Sequence, residues 1–337
     1  MATIPPQRGD ILTECQLDDA VHAVQLQALS LGMIPIAGIM SRRRPDGTHE
    51  VLGCGWNHLR EGIPGIHGET GAIMDMGRLD GGYADVVATS SLNPCPFCQR
   101  ALARHLGVRE VRILDAENYV PDLTSYPPSL KPVISHHRHT ADTFKEWVAD
   151  PANATIWSRD IGLYPGPVPP VFNLAANPTR TAQLAALAHH EATLAVESNE
   201  APIGALIVDA QGEVIGAGHS SIVSHDDPSR VAAMAAWRAA GARDQWKDKT
   251  LVLTAGPDHI AFSMFKVFNF GQLLVTSAAV FQGQLNPLRD LGTPTTLLND
   301  QEADEPLRIW LARSPAALAR EYLGADWLPP THASTPL

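Results

Sequence analysis

A run of prolines near the middle of the chain, Tyr164-Pro165-Gly166-Pro167-Val168-Pro169-Pro170, cannot be helix and favours extended chain. On either side of it one plan is written twice, and such a repeat predicts two related units. Ile34-Pro35-Ile36-Ala37-Gly38-Ile39-Met40 is echoed by Ala201-Pro202-Ile203-Gly204-Ala205-Leu206-Ile207-Val208. A helix precedes each copy. Residues 16–32 space Leu17, Ala20, Val21, Val24, Ala28 and Leu31 helically before Gly32, and residues 181–198 are Ala-rich. A turn and a return strand follow each copy: Arg42 to Gly47 then Val51 to Gly55, and Asp209 to Glu213 then Val214 to Gly218.

The first unit continues with a helix from His67 to about Gly77 and a strand over Val86 to Ser91. A helix from Cys95 to about Leu106 and a strand over Val108 to Leu114 come next. The second continues with a helix after Asp227-Pro228-Ser229 and a strand over Leu251 to Ala255. Strands alternating with helices in this way predict an α/β protein: two tandem three-layer α/β/α domains with mixed sheets. The expected boundaries are 1–163, a linker at 164–178, and 179–337. Residues 1–15 read as a polar lead-in, and His136, His137 and His139 as a solvated loop rather than a second metal site.

The 337 residues, 45% hydrophobic and 18% charged, suit about two soluble domains. A formal net charge of −11 disfavours a partner made of phosphates, so no nucleic acid is expected. No run approaches the ~18 apolar residues that span a bilayer, and nothing resembles a signal peptide. A cytoplasmic protein with no membrane partner is expected. Four cysteines are too few for a disulfide scaffold; Cys15 and Cys54 read as free thiols, Cys54 within a strand.

The chemistry is concentrated between His67 and Cys98. His67-Gly68-Glu69 and Pro94-Cys95-Pro96-Phe97-Cys98 supply an imidazole, a carboxylate and two thiols. His67, Cys95 and Cys98 make three ligands for a zinc ion with one position open, the arrangement of a catalytic site. Two thiolates and a neutral imidazole cancel the charge of the dication but leave it a Lewis acid. Cys95 and Cys98, three apart on an opening helical turn, project to one side. Pro94 and Pro96 suit a helix start. Glu69 is spare, placed to exchange a proton with water beside the metal.

This pair of motifs, H-x-E with P-C-x-x-C, resembles the signature of the zinc-dependent nucleobase deaminases. Over roughly residues 16–162 the first half is similar to fungal cytosine deaminase, within the cytidine-deaminase-like superfamily. Gly77-Arg78-Leu79-Asp80-Gly81 and Ile156-Trp157-Ser158-Arg159-Asp160-Ile161-Gly162 extend the resemblance beyond the metal motif. It implies that Asn57 bonds a pyrimidine, with a spacing to His67 one residue shorter than the family's. It implies that Trp157 and Asp160 close the pocket, Asp160 on the exocyclic amine. Tyr119 would cover the ring where the family has phenylalanine, Ile36 would line the pocket, and the backbone at Leu92 or Asn93 would accept from the amine.

The second copy keeps the plan without the chemistry: Val231 and Ala233 fall where histidine and glutamate belong, and Asp258 and Ala261 where the thiols belong. It reads as a degenerate deaminase-like domain. Since the family pairs subunits, the resemblance implies an intrachain pseudo-dimer, and it allows a homodimer of whole chains. The expected activity is hydrolysis of a small free amino-heterocycle with water, cytosine to uracil and ammonia first. The alternatives are an isocytosine, guanine, creatinine-like or triazine ring, or a non-catalytic protein that keeps zinc for stability.

Overall fold

The computed structural model describes residues 4–59, 63–121, 126–160, 169–241, 243, 245–300 and 302–328, with Arg159, Asp160 and Glu302 described by backbone alone. Its first sheet holds six strands: β1 (Ile11–Leu12), β2 (Ala37–Arg43), β3 (His49–Trp56), β4 (Val86–Ser90), β5 (Glu110–Ile113) and β6 (Lys131–Ile134). Their order is β1-β3-β2-β4-β5-β6. The hairpin side is antiparallel, whereas β4, β5 and β6 run parallel. The second sheet holds β7 (Gly204–Val208), β8 (Val214–His219), β9 (Thr250–Leu253), β10 (Gln272–Val275) and β11 (Thr295–Leu297). Its order is β11-β10-β9-β7-β8, again antiparallel at the hairpin and parallel beyond it. The register slips once in each hairpin, between Met40 and Ser41 and between Ile207 and Val208. The class is therefore α/β with two mixed sheets.

Helices cover both faces of the first sheet. α1 (Glu14–Ser30) starts at a capping box in which Thr13 and Gln16 bond each other's backbone N–H. Its Leu17, Val21 and Val24 pack on Ile39 and Val51. One residue on, Met40 faces the other side, among Leu52, Ile73 and Met76. That alternation is the period-two signature of a strand buried on both faces. Here lie α2 (Gly68–Met76) and α3 (Pro96–Arg100), the latter continuing as a π-turn over Ala101–Leu106.

α2 lies unusually close to the hairpin because glycine lines the contact. A Cβ on Gly55 would sit 2.2 Å from the backbone nitrogen of Ala72. The second unit does the same: a Cβ on Gly216 of β8 would sit 2.3 Å from the carbonyl oxygen of Ala236, in α7 (Ala232–Ala240). The layer carrying α2 and α3 is continuous with the second unit's core. Phe97 and Cys98, both fully buried, share a cluster with Trp237, Phe265 and Phe268, the last two on α8 (His259–Phe268).

Three expectations need correcting. The lead-in contains β1, which pairs with β3. The arginine turn begins later than its composition suggests: Arg42 and Arg43 lie in β2, bonded to Asp85 and Glu110 at 2.7 and 2.5 Å. The histidine cluster does not lie on a loop alone. His139 lies within α4 (Arg138–Val148), and His137 caps it, bonding Thr140 at 2.8 Å and Asp19 at 3.2 Å. The helix after the linker, α6 (Pro178–Glu197), starts at the last residue assigned to the linker.

Candidate metal centre

Two helix N-termini meet at the centre. His67 is the N-cap of α2, its N–H donating to Thr70 Oγ1 at 2.8 Å, so the imidazole leaves the helix at its first turn. Cys95 is the N-cap of α3, with Pro96 at the first helical position where no donor is lost. Gln99 locks that turn, donating to the carbonyls of Cys95 at 3.0 Å and Pro94 at 2.7 Å. Cys98 follows one turn along.

The three side chains converge. His67 Nδ1 lies 3.4 Å from Cys95 Sγ and 3.3 Å from Cys98 Sγ. The ligand atoms of all three lie within 4.8 Å of one another, and among the described residues no other cluster does this. Nitrogen and sulfur ligands of a tetrahedral zinc stand about 3.6 Å apart, so the spacing fits that ion. The sulfurs' acidities fit it too. Burial opposes ionising Cys95, but the Cys98 thiol and the His67 imidazole pull its pKa well below the ordinary value. Burial and the neighbouring Cys95 sulfur push Cys98 well above it. A dication between them offsets the repulsion that keeps the second sulfur protonated.

Glu69 is buried, in the first turn of α2 and outside the donor set. Its Oε1 accepts from Ser90 Oγ at 2.7 Å. Burial, then the Cys95 sulfur, push its pKa up against that hydrogen bond. Ser90 was not singled out from sequence. It ends β4 one residue before Ser91, whose hydroxyl accepts from Ala37 N–H, and alternation along the strand turns the two hydroxyls apart.

Several of the other expected residues lie nearby. Asn57 is fully buried at the end of β3; its Oδ1 accepts from Leu59 N–H at 2.9 Å, and its N–H reaches the carbonyl of Ile36 at 3.2 Å. Ile36 and Leu92 share a small cluster with Phe144 and Trp147, and Tyr119 and Trp157 pack on it. Trp157, on α5 (Pro151–Asp160), meets Tyr119 edge-on at 5.3 Å and Phe144 at 5.4 Å. Asn93 Oδ1 accepts from Tyr126 O–H at 2.8 Å, a contact that sequence reasoning missed in the unread stretch after residue 120. The Asp160 side chain lies outside the described residues.

The second unit closes on the centre from behind. Phe268 stands edge-on to the His67 ring at 6.2 Å and to Phe97 at 5.7 Å, and Trp237 meets Phe97 at 5.8 Å. Gly65, two residues before His67, packs so tightly on Trp237 that a Cβ there would lie 2.5 Å from the indole. Arg78, just after α2, pairs with Glu321 at 2.7 Å, and its N–H reaches Asp226 at 3.1 Å.

No family model matches the chain, and neither does any curated protein. Among solved structures it is similar to a tRNA:A34 deaminase, 22% identical over 37% of this chain and 99% of that one, with a TM-score of 0.35. A guanine deaminase from Nitrosomonas europaea is 18% identical over 44% and 94%, with a TM-score of 0.32. A guanine deaminase from Bacillus subtilis is 18% identical over 40% and 94%, with a TM-score of 0.28.

Proposed function

We propose that the chain is a zinc-dependent aminohydrolase that deaminates a small free amino-heterocycle, a cytosine-like base first. The observation that carries the reading is the convergence of His67, Cys95 and Cys98 beside a buried carboxylate that is not needed as a ligand. A protein that kept zinc for folding alone would have no use for Glu69 there.

His67, Cys95 and Cys98 would hold the ion, which when bound supplies Lewis acidity and makes water a nucleophile near neutral pH. Glu69 moves the protons. It takes one from the attacking water and gives it to a ring nitrogen, then assists the departure of ammonia. Ser90 holds Glu69 Oε1, fixing the carboxylate's direction during both transfers. Asn57 orients the ring, and Ile36, Leu92, Tyr119 and Trp157 supply apolar walls for a planar, neutral substrate. The rear unit would take the place of a partner subunit, its Phe268 and Trp237 sealing the side of His67 and Phe97 away from substrate. The cytoplasm suits a pair of ligands that must stay reduced, and all four cysteines are free of disulfides. Among the described residues no helix is long and apolar enough to cross a membrane.

Ammonia release from a panel of aminopyrimidines, aminopurines and aminotriazines tests the proposal. The expected result is zinc-dependent turnover of at least one ring, aminopyrimidines foremost. Zinc-loaded, folded protein that releases ammonia from none of them would overturn it.

A further inference from the structure

Asn93 stands between a wall residue and a metal ligand. Leu92 belongs to the cluster of Ile36, Phe144 and Trp147, and Cys95 follows two residues on. Asn93 is 5% exposed, and its amide oxygen is taken by the Tyr126 hydroxyl at 2.8 Å. Among the described residues its amide nitrogen makes no hydrogen bond, yet it is not sealed from solvent. Buried polar groups are normally paired, so an amide with one end held and the other unspent is a donor kept for a ligand.

Tyr126 reaches Asn93 from 33 residues along the chain, and its ring packs on the cluster of Met40, Ile73 and Leu130. Burial, then the Glu69 carboxylate and the sulfurs of Cys95 and Cys98, push the pKa of its phenol up. The hydroxyl therefore keeps its proton and donates to Asn93 Oδ1, which turns the NH2 end of the amide the other way. A phenol that feels the carboxylate and both sulfurs borders the metal centre, and Asn93 is bonded to it there.

The rear unit is built differently at this place. Pro257 answers to Pro94, so Gly256 stands where Asn93 does. Its N–H donates to the carbonyl of Phe281 at 2.8 Å, and a Cβ on it would lie 2.3 Å from that oxygen. The chain after β10 closes on bare backbone there. The unit without the metal ligands has no room for a side chain at this point, and the unit with them carries an amide.

We propose that Tyr126 is a positioning residue for Asn93, and that the Asn93 amide it orients donates to a carbonyl oxygen on the substrate ring. The pair thereby favours amino rings that also carry an oxo group over those that do not. The inference rests on the reading of the centre as a deaminase site, which puts the ring beside the metal.

Calorimetric titration of the zinc-loaded, full-length chain tests this with two rings that have no amine to lose, pyrimidin-2-one and pyrimidine. The expected result is at least about tenfold tighter binding of pyrimidin-2-one, the ring that pairs the buried donor. Tyr126→Phe removes the hydroxyl and leaves the ring packed. It should cut the preference by about threefold to tenfold without changing the affinity for pyrimidine, the zinc content or the melting temperature. Asn93→Ala should abolish the preference. Adding Tyr126→Phe to Asn93→Ala should then change nothing further, which separates orientation of the amide from general packing. If Asn93→Ala loses zinc or unfolds, Tyr126→Phe decides alone. Failure of pyrimidin-2-one to bind, equal binding of the two rings to wild type, or a preference untouched by Tyr126→Phe would overturn the proposal. Ammonia release plays no part in this readout. Turnover of some ring without the preference refutes the proposal and leaves the deaminase reading standing, and the preference without turnover does the reverse.

Discussion

The front and rear units build the same corner from different residues. In both, the residue after the last strand position offers a hydroxyl to the paired strand: Ser91 accepts from Ala37 N–H at 2.9 Å, and Thr254 from Gly204 N–H at 2.9 Å. In both, the return strand ends by bonding back to the first, Asn57 N–H to Ile36 and Ser220 N–H to Ile203. These bonds set the equivalences side by side. His67 and Val231 each cap a helix, as do Cys95 and Asp258, so Glu69 answers to Ala233 and Cys98 to Ala261. The two corners share helix N-caps and strand-end bonds, but Val231, Ala233 and Ala261 offer no side-chain donor where His67, Glu69 and Cys98 do. Close helix-on-strand contact and strand-end bonding thus recur in both units whatever side chains stand at the helix starts.

Paired substitutions at equivalent positions would break or sharpen that comparison. The largest effect is expected at the carboxylate. Glu69→Gln should lower turnover by about a hundredfold to ten-thousandfold while zinc content and melting temperature hold, whereas Ala233→Ser in the rear unit should leave the rate unchanged. Zinc lost together with activity in Glu69→Gln would mean that the carboxylate is a ligand.

Next comes the surface the units share. Trp237 is fully buried against Phe97 and Phe268, and Trp237→Ala should cost about 3–5 kcal/mol in urea unfolding. A loss under about 1 kcal/mol would mean the units do not support each other there. The glycines beneath the two helices come third. Gly55→Ala and Gly216→Ala should each destabilise by about 1–3 kcal/mol, since the new methyl meets backbone rather than a movable side chain. Only the front variant should also weaken zinc retention, and equal weakening by both would argue against separate roles.

The smallest effect is electrostatic. Burial, the largest cause in each case, lowers the pKa of His22, His49 and His189 below the usual 6.5. The unfolded chain therefore binds more protons than the folded one just below that value, and these groups' stabilisation is lost as pH falls through 6.5 toward the folded values. The melting temperature should drop between about pH 7.5 and 5.5, and His49→Asn should shrink the drop. An unchanged pH dependence in that variant would remove His49 from the account.

Much of this was legible in the sequence because it rests on short-range rules. The two hairpins were written as short apolar runs joined by polar turns, and the donors in fixed spacings at helix starts. What escaped depended on partners far along the chain. β1 is two residues long, and only its pairing with β3 makes it a strand. β6 begins Lys131-Pro132 and carries little burial, so composition hides it. Ser90 and Tyr126 are unremarkable in sequence and gain their places from Glu69 and Asn93, 21 and 33 residues away. Cys54 did read as a strand thiol, and burial there pushes its pKa up to about 12.

Metal content resolved by site tests the central claim most directly. Elemental mass spectrometry on the purified chain should find about one zinc per molecule, lost in Cys98→Ala and in His67→Ala and retained in Asp258→Ala, the rear counterpart of Cys95. Zinc absent from wild type after growth in zinc-replete medium, or zinc that survives Cys98→Ala and leaves with Asp258→Ala, would contradict it.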